Sequence, residues 1–475
     1  MNPYQANSPG RKMRTVWTVY LGMITMIIDS TGGSVILPVA AEEIGGADIW
    51  PMSMSISSIL GIAIMPLFGY LCAKKPHLKY PLLLASLASA VVIVFLRVLA
   101  TSMWGVIIPN LFYGFASGAI FCIGYMLIRD MYDRKKAGTL LGFVALMQGV
   151  GLLAGPLFTG IVVDTIGWRF MYVIIGALYV LVTILSATGA RVTKEDGASL
   201  AVIKGSFDYA GAVSVMTFLA GLVCMLSMIN YMPWGSVPNL ILIGIVVVSL
   251  ISLITVIRRK GTEAFIPIPV LKDRNTLMLF AINTCFTFSA MGPSVFLPTY
   301  MLYVMGKTPT EAGVASAMYA VAGIILGPVF GKYIASTGTA RETVMYFGGL
   351  LRLAVQLSLF FFLLPDSPIW VVYIIMGVGG IYSVVGGVTP AVAPQIQLRE
   401  EIRPLGNSII QLGGTLGSTV GICIFTAIVA TLGPDAGFKT LLIVTSTISV
   451  MDFIFALPLK KLEGDDLKKA ESSGT

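Results

Sequence analysis

The chain is 475 residues long, 56% hydrophobic and only 11% charged, with 51 glycines and a formal charge of +8. Soluble domains carry charge on about a quarter of their residues, so these proportions exclude a soluble globular protein and point to one that spends most of its length in lipid. The surplus of Lys and Arg is too thin and too scattered to build a phosphate-tracking face, which sets nucleic acid aside as a partner.

A hydrocarbon core about 30 Å thick takes roughly 20 apolar residues as a helix, and helices satisfy their own backbone there. In chain order the apolar runs predict spans at 16–39, 52–73, 81–101, 104–128, 138–163, 169–189, 209–230, 238–258, 276–298, 311–335, 343–364, 369–393, 405–431 and 438–458. The first follows Arg11, Lys12 and Arg14, but it is too long for a signal peptide and lacks a small-residue cleavage site. It reads as a span. The expected fold class is an all-α polytopic membrane protein with fourteen spans, which puts both termini on one side.

Charge tests that count independently. With the N-terminal side taken as the inner one, 26 of the 31 Lys and Arg fall in inner segments. Three fall in outer segments (Arg169, Lys307, Lys439) and two inside spans (Arg97, Arg352). A miscounted helix would scramble this asymmetry. Because cytoplasmic loops hold the excess of Lys and Arg, both termini are expected to be cytoplasmic and the chain to sit in the plasma membrane.

The sequence also repeats itself. Ser34-Val35-Ile36-Leu37-Pro38 returns as Ser294-Val295-Phe296-Leu297-Pro298 at an offset of 260. Pro66-Leu67-Phe68-Gly69 returns as Pro328-Val329-Phe330-Gly331 at 262, and Gln148 matches Gln411 at 263. Three ordered matches at nearly one offset predict two parallel six-helix bundles, residues 1–189 and 276–458. An inserted helix pair with its linkers fills 190–275, and a cytoplasmic tail fills 459–475. Duplicated halves around a central cavity are a transporter architecture, with the substrate near the midplane.

Charge within a bilayer is costly and marks function by default. Asp29, near the centre of span 1, can bind and release a proton as a cavity alternates its exposure; a structural hydrogen bond is the other reading. Arg352 in span 11 is open to three partners: an anionic substrate group, Asp29 or a backbone carbonyl. Arg97 lies near the outer end of span 3 and can snorkel to headgroups; Asp452, near the inner end of span 14, reads the same way. Asn110, Tyr113, Tyr125, Gln148, Asn283, Gln356, Asn407 and Gln411 are polar at span depth, as cavity lining or as interhelical hydrogen bonds. Gly151, Gly155 and Gly160 with Pro156 allow close approach of a facing helix, as a gate needs. The 24 methionines and the aromatic side chains offer adaptable walls.

Five well-separated cysteines and a single histidine, His77, give no disulfide framework, metal-ligand spacing or nucleophile dyad. No phosphate-binding glycine loop or dinucleotide fingerprint occurs, so neither a cofactor nor an ATP site is expected. An enzyme would need clustered acid, base or metal groups at one depth. A channel would need a ring of like groups from several copies, whereas this chain completes its own cavity and is expected to act as a monomer.

Several of these stretches resemble the fourteen-helix drug:proton antiporters of the major facilitator superfamily. Asp29-Ser30-Thr31 with Leu37-Pro38 resembles a first-helix motif of that branch. Gly151 through Pro156 with Gly160 resembles the fifth-helix antiporter motif, and Gly167-Trp168-Arg169-Phe170 the opening of the sixth helix. Phe207 to Gly211, and Ile266-Pro267 through Asn275, are similar to the segments that bracket the extra helix pair. Two positions depart. The gating loop after span 2 runs Gly69-Tyr70-Leu71-Cys72-Ala73-Lys74-Lys75-Pro76 without an acidic residue, and Asn110 stands where span 4 usually carries a coupling arginine. The resulting expectation is proton-coupled export of hydrophobic or amphipathic small molecules, with Asp29 as the titrating group. The alternative is proton-coupled uptake or exchange of an organic anion, motivated by Arg352 and the missing span-4 arginine.

Overall fold

A computed structural model describes residues 3–46, 50–193, 195–196, 208–228, 235–261, 264–307 and 309–462. Among these the structure is helical throughout, with no strand. The long helices are α1 (Pro9–Ile44), α2 (Trp50–Lys74), α3 (Lys79–Val98) and α4, which runs from Met103–Ala119 through a π-turn at Ile120–Gly124 into Tyr125–Met131. They continue as α5 (Arg134–Thr165), α6 (Trp168–Ala187), α7 (Tyr209–Met228) and α8 (Val237–Lys260). Next comes α9, built from Arg274–Met291, a π-turn at Gly292–Phe296 and Leu297–Tyr303, and then α10 (Pro309–Thr337). The last four are α11 (Arg341–Thr343, Val344–Leu351 as π-helix, Arg352–Phe362), α12 (Ile369–Gln397), α13 (Arg403–Leu432) and α14 (Pro434–Ala456).

Local chemistry sets the ends. Asp133 caps α5 by accepting from the Lys136 amide at 3.2 Å, and Asp273 caps α9 by accepting from the Thr276 amide at 2.8 Å. Gly433, at φ 81°, adopts the left-handed turn that separates α13 from α14, a conformation costly for a residue with a Cβ.

Ten helical stretches among the described residues are long and apolar enough to cross a membrane, and Ile59–Lys74 and Tyr209–Met225 are shorter apolar helices. Fourteen such spans were expected. The two helices outside both groups are α1 and α5. The first carries Thr15, Thr18, Thr25, Asp29 and Thr31; the second carries Gln148 and a row of glycines. Polar and small residues that face other helices lower the apolarity of a helix without exposing it to lipid. At the other extreme, α8 buries only Asn239 and Ser249 and turns its Leu, Ile and Val side chains outward.

Packing follows a doubled pattern. Helix α1 packs on α5 and α6, α2 on α4, and α3 on α4 and α6. Likewise α9 packs on α13 and α14, α10 on α12, and α11 on α12 and α14. The two most extensive contacts between the sets also come in a pair, α5 with α10 and α2 with α13. Gly151 and Gly155 of α5 lie against Ile24, Ile27 and Thr31 of α1, while Gly413 and Gly417, 262 residues later, lie against Phe280 and Thr284 of α9. Gly160, expected to continue the row, has open space where a Cβ would go and takes no part in it. Of Pro156 only the helical backbone is described.

Helices α7 and α8 pack on each other, and α7 also on α2 and α13. Asp208 ties their ends together: it accepts from the amides of Gly211 at 2.9 Å and Phe265 at 2.8 Å and from Lys260 Nζ at 2.9 Å. Burial pushes this carboxyl up, but those three donors outweigh it and hold it below the ordinary Asp value. Phe207, which precedes it, lies outside the described residues.

Candidate functional site

Between the two sets of helices lies a cavity of about 300 Å³, lined from α2, α4, α5, α9, α12 and α13. That is the lower end of the size range of small-molecule sites. Four residues expected on sequence grounds to line a cavity meet here: Tyr125, Gln148, Asn283 and Gln411. Met65, Phe121, Thr287, Gly386, Gly387, Pro390, Gly414, Thr415 and Ser418 complete the wall. The π-turn of α4 immediately precedes Tyr125 and sets its register, a common use of such bulges at functional positions.

Proline shapes the opposite wall. Pro390 and Pro394 lie inside α12. Each lacks the N–H that would bond the carbonyl four residues back, which releases Gly386 O and Pro390 O from the helix ladder. Gln411 Nε2 donates to Pro390 O at 2.7 Å. Asn283 Nδ2 donates in the same fashion to Ile410 O at 2.7 Å.

The remaining charged and polar residues sit elsewhere. Asp29, Asn110 and Tyr113 line a separate pocket of about 60 Å³ within the first six helices, together with Ser53, Arg97 and Tyr172. One water needs about 10–15 Å³, so this pocket admits several. Arg97 Nη1 donates to both carboxylate oxygens of Asp29, at 2.8 and 3.1 Å. Its guanidinium lies over the rings of Tyr113 (4.9 Å) and Tyr172 (5.4 Å), a cation–π arrangement. Each side chain of the pair is 3% exposed. Arg97 therefore does not reach to headgroups; the buried carboxylate one helix layer away draws it inward. Asn110 Nδ2 donates to Ser53 Oγ at 2.5 Å, whereas Asn110 Oδ1 and Arg97 Nε are buried with no hydrogen-bond partner among the described residues.

A second ion pair occupies the last six helices. Arg352 Nη2 is bonded to Asp452 Oδ2, and both side chains are fully buried. Arg352 Nε donates to Ser449 Oγ at 2.9 Å, Ser449 donates to Gln356 Oε1 at 2.7 Å, and Gln356 Nε2 donates to Ser289 Oγ at 2.9 Å. The ring of Phe286, 4.9 Å from the guanidinium, stands on the other side. Arg352 thus does not line the central cavity, and it meets Asp452 rather than Asp29. Asp452, read from sequence as a peripheral charge, is buried as deeply as any residue in the chain.

A third cluster joins the two sets of helices. Asp130 at the end of α4 is 2.6 Å from Lys79 Nζ and 3.5 Å from Arg403 Nη2 at the start of α13. Nearby, Arg129 Nε donates to Gln395 O at 3.3 Å, and Gln395 Nε2 to Asn407 Oδ1 at 2.8 Å. The loop after α2 lacks a carboxylate, and Asp130 supplies one to the same end of the bundle. Gly69 adds a close backbone approach there, against Pro404 O and Ser408. Sequence reasoning missed this pair because it counted Arg403 only as one of the inner-segment Lys and Arg and did not single out Asp130. Among the described residues no group of His, Cys, Asp or Glu could hold a metal ion.

A family model described as Major Facilitator Superfamily matches residues 19–399 and 279–474. The chain belongs to this superfamily. It is 26% identical over 431 residues to Multidrug resistance protein 3 of Bacillus subtilis (strain 168), covering 85% of this chain and 77% of that one. It is 24% identical over 328 residues to Multidrug export protein EmrB of Escherichia coli (strain K12), covering 67% and 61%. The fold is that of the proton:xylose symporter XylE, at a TM-score of 0.66 and 14% identity over 98% of this chain and 99% of that one. The chain is accordingly a multi-pass membrane transporter of small molecules and not an enzyme.

Proposed function

We propose that this superfamily member is a secondary active transporter that exports hydrophobic or amphipathic small molecules in exchange for protons, with Asp29 as the titrating group and Arg97 as its counter-charge. One observation carries the reading: the Asp29–Arg97 pair is buried yet borders a pocket with room for water. Burying a carboxylate and a guanidinium costs several kcal/mol per ion, which only an excellent partner offsets. A pair kept at that cost beside a water-sized pocket suits a group that takes and returns a proton. Protonation removes the charge attraction of Asp29 for Arg97, and Arg97 has a second acceptor at hand in the unpaired Asn110 Oδ1 of the same pocket. Two protonation states with different contacts are what allows a proton to bias a conformational equilibrium. In this reading Arg97 of α3 replaces the guanidinium that Asn110 does not supply.

The membrane arrangement that goes with it has fourteen spans: the ten apolar helices, the shorter α2 and α7, and the more polar α1 and α5. Residues 1–189 and 276–458 are two related bundles that rock about the cavity. Residues 190–275 are an inserted pair with linkers, and 459–475 are a tail. Both termini lie on the cytoplasmic side of the plasma membrane, and one copy of the chain suffices. The doubled packing pattern and the glycines 262 residues apart support the two-bundle reading. The multidrug relatives support the outward direction. Exchange of an organic anion loses its main support, because Arg352 is turned to Asp452 behind Phe286.

Everted vesicles from an efflux-deficient bacterium test this. When respiration has acidified the lumen, an exported compound collapses the pH gradient on addition. Compounds that do so with the wild-type chain are expected to have no effect with Asp29→Asn; gradient collapse by Asp29→Asn equal to wild type would contradict the assignment.

A further inference from the structure

We infer that the substrate held in the central cavity is an electrically neutral, amphipathic molecule that presents hydrogen-bond donors. The inference rests on the proposed role of that cavity as the transport site. Its first support is charge. None of the thirteen lining residues is charged, and Asp29, Arg97, Arg352 and Asp452 are already consumed in ion pairs outside it. An ion entering the cavity would shed its water and gain no counter-charge, and a buried unpaired charge is the most costly group a protein can hold.

The second support is the balance of donors and acceptors. Each carboxamide has four hydrogen-bonding positions, two on nitrogen and two on oxygen. One N–H of Asn283 and one of Gln411 are bound to backbone carbonyls, which also fixes which end of each amide is which, since the oxygen would repel a carbonyl. Gln148 Nε2 rests on Met23 Sδ at 3.9 Å. The hydroxyls of Thr287, Thr415 and Ser418 donate to carbonyls of their own helices. One N–H remains on each amide, but acceptors outnumber these donors: two lone pairs on each amide oxygen, the hydroxyl lone pairs and the Gly386 carbonyl that Pro390 releases. Tyr125, with no hydrogen bond among the described residues, is the lining hydroxyl free to donate. Met65, Phe121 and the glycine faces supply the apolar remainder. Such a wall binds N–H and O–H groups on an apolar frame, and it rejects the same frame without them because its acceptors would then be buried unpaired.

Four probes on one frame test this: 2-naphthalenemethanol, its methyl ether, 2-naphthoate and (2-naphthylmethyl)trimethylammonium. Binding to the purified full chain is measured by calorimetry at pH 7.5 with no proton gradient, so the outcome does not depend on coupling. The alcohol is expected to bind about 3–10-fold more tightly than the ether, the worth of one net hydrogen bond, and more than tenfold more tightly than either ion. Gln148→Met is expected to bring the alcohol and ether together. Equal or tighter binding of either ion, equal binding of alcohol and ether, an unchanged ratio in Gln148→Met, or no binding of any probe would each overturn the inference. Should the order of binding hold while Asp29→Asn still collapses the gradient in vesicles, the substrate class would stand and the proton assignment alone would fall.

Discussion

The two buried ion pairs look alike and differ where it matters. Each arginine lies over an aromatic ring at 4.9 Å, and each stands on the third helix of its set of six, α3 or α11. Their surroundings diverge. Asp29 and Arg97 border a pocket of about 60 Å³ that contains an unpaired amide oxygen. Arg352 and Asp452, each 0% exposed, are enclosed by the Ser449–Gln356–Ser289 chain and Phe286, with Arg352 Nη1 and Asp452 Oδ1 buried without a hydrogen-bond partner among the described residues. Equal chemistry in a wet and a dry setting serves different ends: we assign the first pair to proton exchange and the second to fastening α11 to α14.

That contrast is easiest to break through stability. Removing one member of a buried pair leaves an uncompensated charge, at a cost of about 3–5 kcal/mol. Arg352→Met and Asp452→Leu are each expected to lower the thermal unfolding temperature strongly in detergent, with the double variant recovering most of it and retaining transport. If the double variant were stable but inactive, the second pair would belong to the mechanism and the contrast would fail.

Glycine contacts give a smaller effect and a sharper sign. A Cβ at Gly417 would collide with the backbone carbonyl of Thr284, whereas one at Gly155 would meet the Thr31 hydroxyl, which can rotate away. Gly417→Ala is expected to cost about 1–3 kcal/mol by overpacking and Gly155→Ala less. Gly160→Ala, with open space around it, should be neutral or stabilising by up to about 1 kcal/mol. Chemical denaturation of the three variants would show this order, and equal losses would contradict the close approach of α13 to α9.

The smallest expected effect concerns Asp208, outside the spans. Its carboxyl is held below the ordinary value by Gly211, Lys260 and Phe265. It therefore contributes stability at neutral pH, and that contribution fades as acid takes the pH down through its folded-state value. Asp208→Asn should lower the unfolding temperature at pH 7 and flatten its fall in acid. A wild-type slope in the variant would place the acid sensitivity elsewhere.

Much of this was legible in the sequence, for reasons that are physical. Spans announce themselves through long apolar runs, and of the eight polar residues that stood out at depth the cavity holds Tyr125, Gln148, Asn283 and Gln411, whereas Asn110, Tyr113, Gln356 and Asn407 lie elsewhere. The pairings were not legible. Arg97 lies one residue from the end of α3, so position along the chain suggested a headgroup contact, while its true partner is set by how α3 packs on α4 and α6. Asp452 misled in the same way. A single sequence marks which residues are costly in lipid, but it does not say which helix face meets which, and that is what joined Arg352 to Asp452 rather than to Asp29 or a substrate. The apolarity of α1 and α5 fell short for a related reason: their polar side is the side that faces other helices.

The central claim is that Asp29 exchanges a proton and Asp452 does not. Infrared difference spectra of the purified chain between acidic and alkaline buffer, recorded for wild type, Asp29→Asn and Asp452→Asn, test it without a substrate. The account predicts a protonated-carboxyl band that Asp29→Asn removes and Asp452→Asn leaves in place; a band lost in Asp452→Asn and kept in Asp29→Asn would contradict it.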